Sequence, residues 1–177
     1  MSKNSIHRIG FDRRGGYGLL ARHLGKLGHR RIAIDALNAD YRCSPFEKTG
    51  FTVYPCNLQH LGSDALKKKF LPLLRKQKIT AVCFEDDLVA ARVMAKLYQI
   101  GIRIPRELSV TGFDGMDFSS LLSVPLTTLQ VPMKAMIRRV IKILEEPSTS
   151  QFRHCFKMKL IKGESTAPAE SNGGTER

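Results

Sequence analysis

Four short apolar runs, separated by stretches with helical periodicity, constrain this chain more than any other feature of it. They are Ile32-Ala33-Ile34, Phe51-Thr52-Val53-Tyr54, Ala81-Val82-Cys83-Phe84 and Leu108-Ser109-Val110-Thr111-Gly112. A strand with one wet face alternates apolar and polar residues, whereas a strand covered on both faces stays apolar throughout. These runs are of the second kind, so helices must cover both faces of the sheet they build. Leu20, Leu24 and Leu27 form one helical stripe, and Gly28 behind it suits a C-terminal cap. Ser63 caps a second helix carrying Leu66, Phe70, Leu73 and Leu74, which Pro72 should kink or split. Asp86 and Asp87 open a third, with Val89, Val93 and Leu97 on its stripe, Ala90 and Met94 beside them, and Gly101 after its end. Pro132 starts a last helix through Met133, Ile137, Val140, Ile141 and Leu144, and Pro147 stops it. A β-like stretch over residues 156–161 follows. Strands alternating with helices over short links predict an open, mostly parallel α/β sheet with right-handed crossovers and helices on both faces.

The chain has 177 residues, enough for one such domain with a core, and its 42% apolar content argues against wholesale disorder. No run approaches the roughly 18 apolar residues a membrane helix needs, and residues 1–7 lack the apolar core of a secretory signal. A cytoplasmic protein with no membrane partner is the simplest expectation. Residues 1–165 read as the domain and 166–177 as a disordered tail. Lys and Arg outnumber Asp and Glu by 29 to 16, a charge of +13 that suggests an acidic partner such as nucleic acid. The cations are dispersed, however, as in Lys67-Lys68-Lys69, Arg138-Arg139 and His29-Arg30-Arg31, the pattern of solvated faces. Cys43, Cys56, Cys83 and Cys155 form no C-x-x-C pair and have no histidine at zinc spacing, so free thiols and no metal site are expected.

Open α/β sheets bind ligands beyond the carboxyl ends of their strands. Three places qualify. The first is Glu85-Asp86-Asp87, after the third run, where carboxylates at a helix N-terminus stay ionised and can accept from paired hydroxyls, or simply cap the helix. The second is Gly112-Phe113-Asp114-Gly115, after the fourth run; Gly112 permits close backbone approach, and Asp114 either faces a ligand or folds onto its own turn. The third is the irregular stretch over residues 38–45, whose Arg42 suits recognition of carboxylate, phosphate or vicinal hydroxyls and is otherwise a solvated loop residue. No nucleophile elbow, phosphate loop, zinc helix or cofactor fingerprint is present, so an enzyme is not expected. His23 and His29, six apart around a helix end, are poorly spaced for a metal and fit packing or capping.

Five segments, in order, resemble the lactose-repressor (LacI/GalR) family of transcription regulators. Arg22-His23-Leu24 through Gly28-His29-Arg30-Arg31-Ile32-Ala33 is similar to H-L-x-x-x-G-H-R-R-I-A, and Thr80-Ala81-Val82 through Asp86-Asp87-Leu88-Val89-Ala90 to T-A-[IV]-x-x-x-N-D-x-x-A. Gly101 to Asp114 is similar to G-[LI]-x-[VI]-P-x-[DE]-[ILV]-S-V-x-G-[FY]-D, Pro125 to Pro132 to P-L-T-T-[VI]-x-x-P, and Leu160 to Thr166 to L-[IV]-x-R-x-S-T. The resemblance implies a periplasmic-binding-protein-like effector domain: two α/β lobes, three crossovers and a small ligand in the cleft. It also implies operator binding as a dimer through a separate helix-turn-helix. By position this chain matches the C-terminal lobe and a partial return to the N-terminal one, with no counterpart of the helix-turn-helix. The acid of the N-D motif falls on Asp87, with Asp86 in the asparagine's place. The family's cleft arginine falls nearest to Arg42, but the segment up to Phe51 looks too short for the helix expected there, and Pro45 opposes one. Gly15-Gly16-Tyr17 lies one residue off the family's glycine pair, Ile137 stands where glycine is common, and Gly163 where arginine is. The expected function is sensing of a small polar effector, a sugar or nucleoside, and homodimerisation within such a regulator. The alternatives are a stand-alone basic protein binding nucleic acid non-specifically and a non-functional truncated copy. A phospho-receiver domain fits poorly, because Asp35 is the only acid ending the first run and no lysine follows Val110 closely.

Overall fold

The apolar runs become strands because alternate residues feed opposite cores. Ile32 and Ile34 point into one buried cluster and Ala33 into the other; Ala81 and Cys83 again oppose Val82. The computed structural model describes residues 7–36, 40–145 and 153–169, with Asp40 and Tyr41 as backbone only. Its elements run β1 (Arg8–Phe11), α1 (Arg13–Lys26), β2 (Arg31–Asp35), α2 (Asp40–Glu47), β3 (Thr52–Cys56), α3 (Ser63–Ala65), a π turn (Leu66–Phe70) and α4 (Leu71–Lys76). They continue with β4 (Ala81–Cys83), α5 (Asp87–Gln99), β5 (Ser109–Asp114), a 3₁₀ turn (Asp117–Ser120), β6 (Thr127–Gln130), α6 (Met133–Glu145), β7 (Arg153–Phe156) and β8 (Lys159–Ile161). The six-stranded sheet has order β3-β2-β4-β5-β6-β8, parallel except for β8, which runs antiparallel to β6. On one face α1 and α2 bring Tyr17, Leu20, Leu24 and Phe46; on the other, the π turn and α5 bring Leu66, Phe70, Val93 and Leu97. The expected mostly parallel sheet with helices on both faces is what forms.

A second, smaller unit pairs β1 with β7 in parallel, next to α6. Among the described residues the chain passes between the two units three times, at Asp12, at Val131-Pro132 and at Lys157-Met158. Two are pinned by backbone bonds, Asp12 N–H to Phe156 O at 2.8 Å and Val131 N–H to Asp114 O at 3.1 Å. This is the partial return to a second lobe. The predicted stripe of α6 forms, but Met133, Ile137, Val140, Ile141 and Leu144 are all exposed; Pro147 lies outside the described residues.

Three expectations need correction. The segment carrying Arg42 does form a helix, α2, with Pro45 inside it. Cys43 and Phe46 sit three apart on its buried face, and the Phe46 ring lies 6.4 Å from Tyr17 and 5.6 Å from Phe51, both edge-on. Pro45 falls in the last turn, and the Thr49 hydroxyl donates to the carbonyls of Pro45 (3.1 Å) and Phe46 (2.9 Å), closing the helix just beyond it. Burial of Phe46 therefore outweighs the one hydrogen bond that proline removes. Second, β1 and β6 are strands that apolar runs did not reveal. In β6 the buried Thr127 and Thr128 are tolerated because their hydroxyls are bonded, to Gly163 N and Asp87 respectively.

Third, the ordered chain extends past Thr166. His23 Nε2 meets Thr166 Oγ1 at 2.9 Å, Ala167 N–H donates to Ser109 Oγ at 3.1 Å, and Ala169 N–H donates to Leu27 O at 2.7 Å. His29, 1% exposed, joins Thr80 Oγ1 (2.8 Å) to the Ala167 carbonyl (3.0 Å). The two histidines thus strap the last strand's sequel across the sheet, a packing role as expected. Burial holds the His29 pKa below its ordinary value, with the nearby His23 and Arg30 adding to the effect. Protonation is then harder folded than unfolded, so this group's stabilisation is present above about pH 6.5 and lost as pH falls toward the lowered value. Between pH 7 and pH 5 the melting temperature of the parent is expected to drop relative to that of His29→Gln; an identical slope in the variant would rule the strap out as a source of pH dependence.

Pro72 acts as predicted. The helix from Ser63 breaks into α3, the π turn and α4, with Leu71 N–H reaching Leu66 O and Pro72 in the first turn of α4, where its missing donor is tolerated.

Candidate functional site

The carboxyl ends of β4 and β5 place Glu85, Asp86 and Asp114 on one rim of the sheet. Asp86 is the N-cap of α5. Its Oδ1 accepts from the N–H groups of Leu88 (2.6 Å) and Val89 (2.9 Å), so the cap reading is correct. Both bonds use one oxygen. Oδ2 carries no protein hydrogen bond among the described residues and remains an acceptor on a half-buried carboxylate.

Asp87 stands behind that rim. It is 0% exposed; Oδ1 accepts from the Thr128 hydroxyl at 2.5 Å and Oδ2 from Met116 N–H at 2.7 Å. A Cβ on Gly112 would overlap Asp87 Oδ1 and lie 2.6 Å from Leu126 Cδ2, so the close approach that glycine permits is taken by this carboxylate. Asp87 therefore ties α5 to the Asp114 turn and to β6.

Asp114 ends β5 with φ +102°, a left-handed conformation that a residue with a side chain adopts at a cost. The turn is held from both sides, by Met116 N–H on Asp87 and by Val131 N–H on the Asp114 carbonyl. Burial raises the Asp114 pKa above the ordinary carboxylate range. Asp86 and Glu85 push it further up, and the Arg13 guanidinium opposes them. Asp87 is likewise raised, first by burial, against the lowering effect of its Thr128 and Met116 bonds. Protons that the unfolded chain would release are thus retained at both sites. Their contribution to stability is greatest below the ordinary carboxylate pKa and falls as pH rises through the raised values.

Arg42, on α2, forms an ion pair with Glu85 across the tips of β2 and β4; its side chain is 14% exposed and that of Glu85 38%. This pair fixes the guanidinium at the rim. The structure thus gathers Asp86, Asp114 and Arg42 along one edge, with Asp87 underneath. Asn38 and Ala39 of the same expected stretch lie outside the described residues.

Sequence reading missed Arg13. Its guanidinium sits 5.0 Å from the Phe11 ring centroid and 5.7 Å from that of Phe113, beside Asp114, at the first crossing between the units. The missing signal was β1: without that strand, nothing placed residue 13 at the sheet's mouth. Among the described residues no group of three His, Cys, Asp or Glu side chains is set to hold a metal. Burial pushes the Cys83 thiol up to about 12, so it stays protonated at neutral pH.

A family model described as a periplasmic binding protein-like domain matches residues 21–166. The chain belongs to this periplasmic binding protein-like family. Within it the resemblance to the effector-binding part of LacI/GalR-type regulators holds. The chain is 28% identical over 146 residues to the HTH-type transcriptional repressor PurR of Aliivibrio fischeri, covering 75% of this chain and 43% of that protein. It is 29% identical over 165 residues to the arabinose metabolism transcriptional repressor of Geobacillus stearothermophilus, covering 79% and 43%. The chain therefore spans somewhat less than half the length of these curated relatives. Its fold matches the dimeric Lac repressor with a TM-score of 0.74 at 20% identity, over 96% of this chain and 67% of that one. It also matches a LacI-family regulator from Enterococcus faecium with bound ribose, with a TM-score of 0.71 at 20% identity, over 95% and 68%. Among the described residues no helix is long and apolar enough to cross a membrane.

Proposed function

We propose that this chain is the effector-sensing part of a LacI-type transcription regulator, and that its strand-tip rim binds a small polyhydroxylated ligand. A sugar is the first choice and a nucleoside the second. The observation that carries this reading is the strained, doubly anchored Asp114 turn beside Asp86, whose Oδ2 carries no hydrogen bond among the described residues. Two fixed acceptors facing one mouth suit neighbouring hydroxyls, each of which has a proton to donate. Arg42, steadied by Glu85, supplies the complementary donor to ring or hydroxyl oxygens. Asp87 acts beneath as the positioning residue that sets the turn. Sugar chemistry is favoured by the relatives: an arabinose metabolism repressor among the proteins, and structures with bound ribose and D-xylulofuranose among the neighbours.

On this reading the molecule works in the cytoplasm as part of a homodimer. Effector binding changes operator affinity by reorienting one lobe against the other, since a ligand that prefers one arrangement shifts the population toward it. Operator contact on this reading belongs to a separate helix-turn-helix. NMR chemical-shift titration with ribose, arabinose, galactose and adenosine tests the ligand assignment. At least one sugar should shift the amides around Asp86 and Asp114, with dissociation constants of about 1 mM for one lobe acting alone. Asp114→Ala should weaken that binding by about tenfold or more, the worth of one charged hydrogen bond. Because Asp114 takes up its proton at a higher pH than an ordinary carboxylate, affinity should fall on acidification before the usual carboxylate range is reached. Shifts of equal size in Asp114→Ala would count against the site.

A further inference from the structure

At the opposite, amino-terminal end of the sheet two hollows adjoin, of about 380 Å³ and 320 Å³. Lys78, Thr80 and Ala169 line both. Arg75 and Arg106 complete the larger, and Arg30 and Arg31 the smaller, so five cations face the pair. The single acid there among the described residues, Glu107, already receives Arg103 Nε at 2.8 Å and Arg103 N–H at 3.0 Å. Arg30 donates to the carbonyls of Gly25 and His29, which hold it in place without cancelling its charge. Lys78, Arg31 and Arg75 take part in no ion pair among the described residues. Like charges gathered around a concave surface raise its potential and draw in anions.

Lys78 carries a second signal. It follows α4 with φ +51°, the left-handed position that commonly ends a helix. After α1, α2 and α5 the same position is filled by Gly28, Gly50 and Gly101, with φ of +84°, +83° and +86°. Of these four helix ends, this is the one that puts a side chain where glycine is conformationally cheaper. The helix dipole accounts for Arg75 and Lys76 in the last turn of α4, but it does not account for a strained lysine between two hollows.

We propose that these hollows form a site for a small phosphate-bearing anion, a diphosphate or phosphorylated metabolite, with Lys78 bridging the two halves. Their concave shape and volumes, close to the lower end of the small-ligand range of about 300–1,000 Å³, favour a compact anion over an extended duplex backbone. The lining by Pro168 and Ala169 would join occupancy to the strap held by His23 and His29.

Calorimetric titration of the whole chain with sodium pyrophosphate at low ionic strength, against a chloride-matched control, tests the assignment. Saturable binding is expected, weakened by about tenfold or more in Lys78→Gly and in Arg75→Gln. Lys78→Gly should melt at the same or a higher temperature, because glycine fits that backbone, so its loss of affinity cannot come from misfolding. Unchanged affinity in both variants, or no saturation by pyrophosphate, would overturn the proposal. So would a duplex oligonucleotide that displaces pyrophosphate and binds Lys78→Gly as well as the parent.

Discussion

Asp87→Ala should destabilise the domain by about 3 kcal/mol and loosen the ligand rim in the same step. The substitution leaves the Thr128 hydroxyl and the Met116 N–H facing a buried hole, and each unmet group costs roughly 1–3 kcal/mol. Removing a buried charge returns part of this, since burial already disfavours the ionised form. Asp87→Asn should lose about half as much, because its amide oxygen satisfies one donor while its NH₂ group confronts the other. Urea unfolding measures the stability, and hydrogen exchange at Met116 reports whether the turn has opened. A variant as stable as the parent, with Met116 still protected, would mean that Asp87 does not organise the site.

Gly163→Arg, which installs the residue common in the family, should unfold the chain or lower its stability by more than about 3 kcal/mol. A Cβ at this position would overlap the Pro125 carbonyl oxygen and lie 2.6 Å from the carbonyl carbons of Pro125 and Leu126, all rigid backbone. That carbonyl also accepts from Glu164 N–H at 2.7 Å and Ser165 N–H at 3.0 Å, so it cannot move without freeing the strap. Gly163→Ala carries the same Cβ and should show most of the loss, which separates crowding from charge. A denaturation midpoint equal to the parent in both variants would show that the junction between β6 and the strap adapts freely.

The sheet was legible because its central strands are apolar on both faces, and the helix ends because Gly28 and Gly101 mark them. Asp86 was legible as a cap, since a carboxylate before an apolar stripe has few other uses. What stayed hidden depended on contacts distant in sequence. Thr127 and Thr128 look like a polar loop until Asp87 and Gly163 are brought beside them. Pro45 argued for a loop because local rules do not contain the packing of Phe46 against Tyr17 and Phe51. The roles of Asp86 and Asp87 look alike from spacing alone, yet one carboxylate keeps an oxygen at the rim and the other spends both oxygens inside. Residues 166–169 read as a tail because Thr-Ala-Pro-Ala has no periodicity; the two histidines that hold it lie more than a hundred residues earlier.

The most direct test of the rim is a crystal structure of the chain soaked in concentrated ribose. The expected density is a sugar ring at the carboxyl ends of β4 and β5, with neighbouring hydroxyls within hydrogen-bond distance of Asp86 Oδ2 and the Asp114 carboxylate, and with Arg42 on the same ring. A sugar bound elsewhere with those three side chains untouched, or an empty rim in a crystal whose mouth is open to solvent, would contradict it.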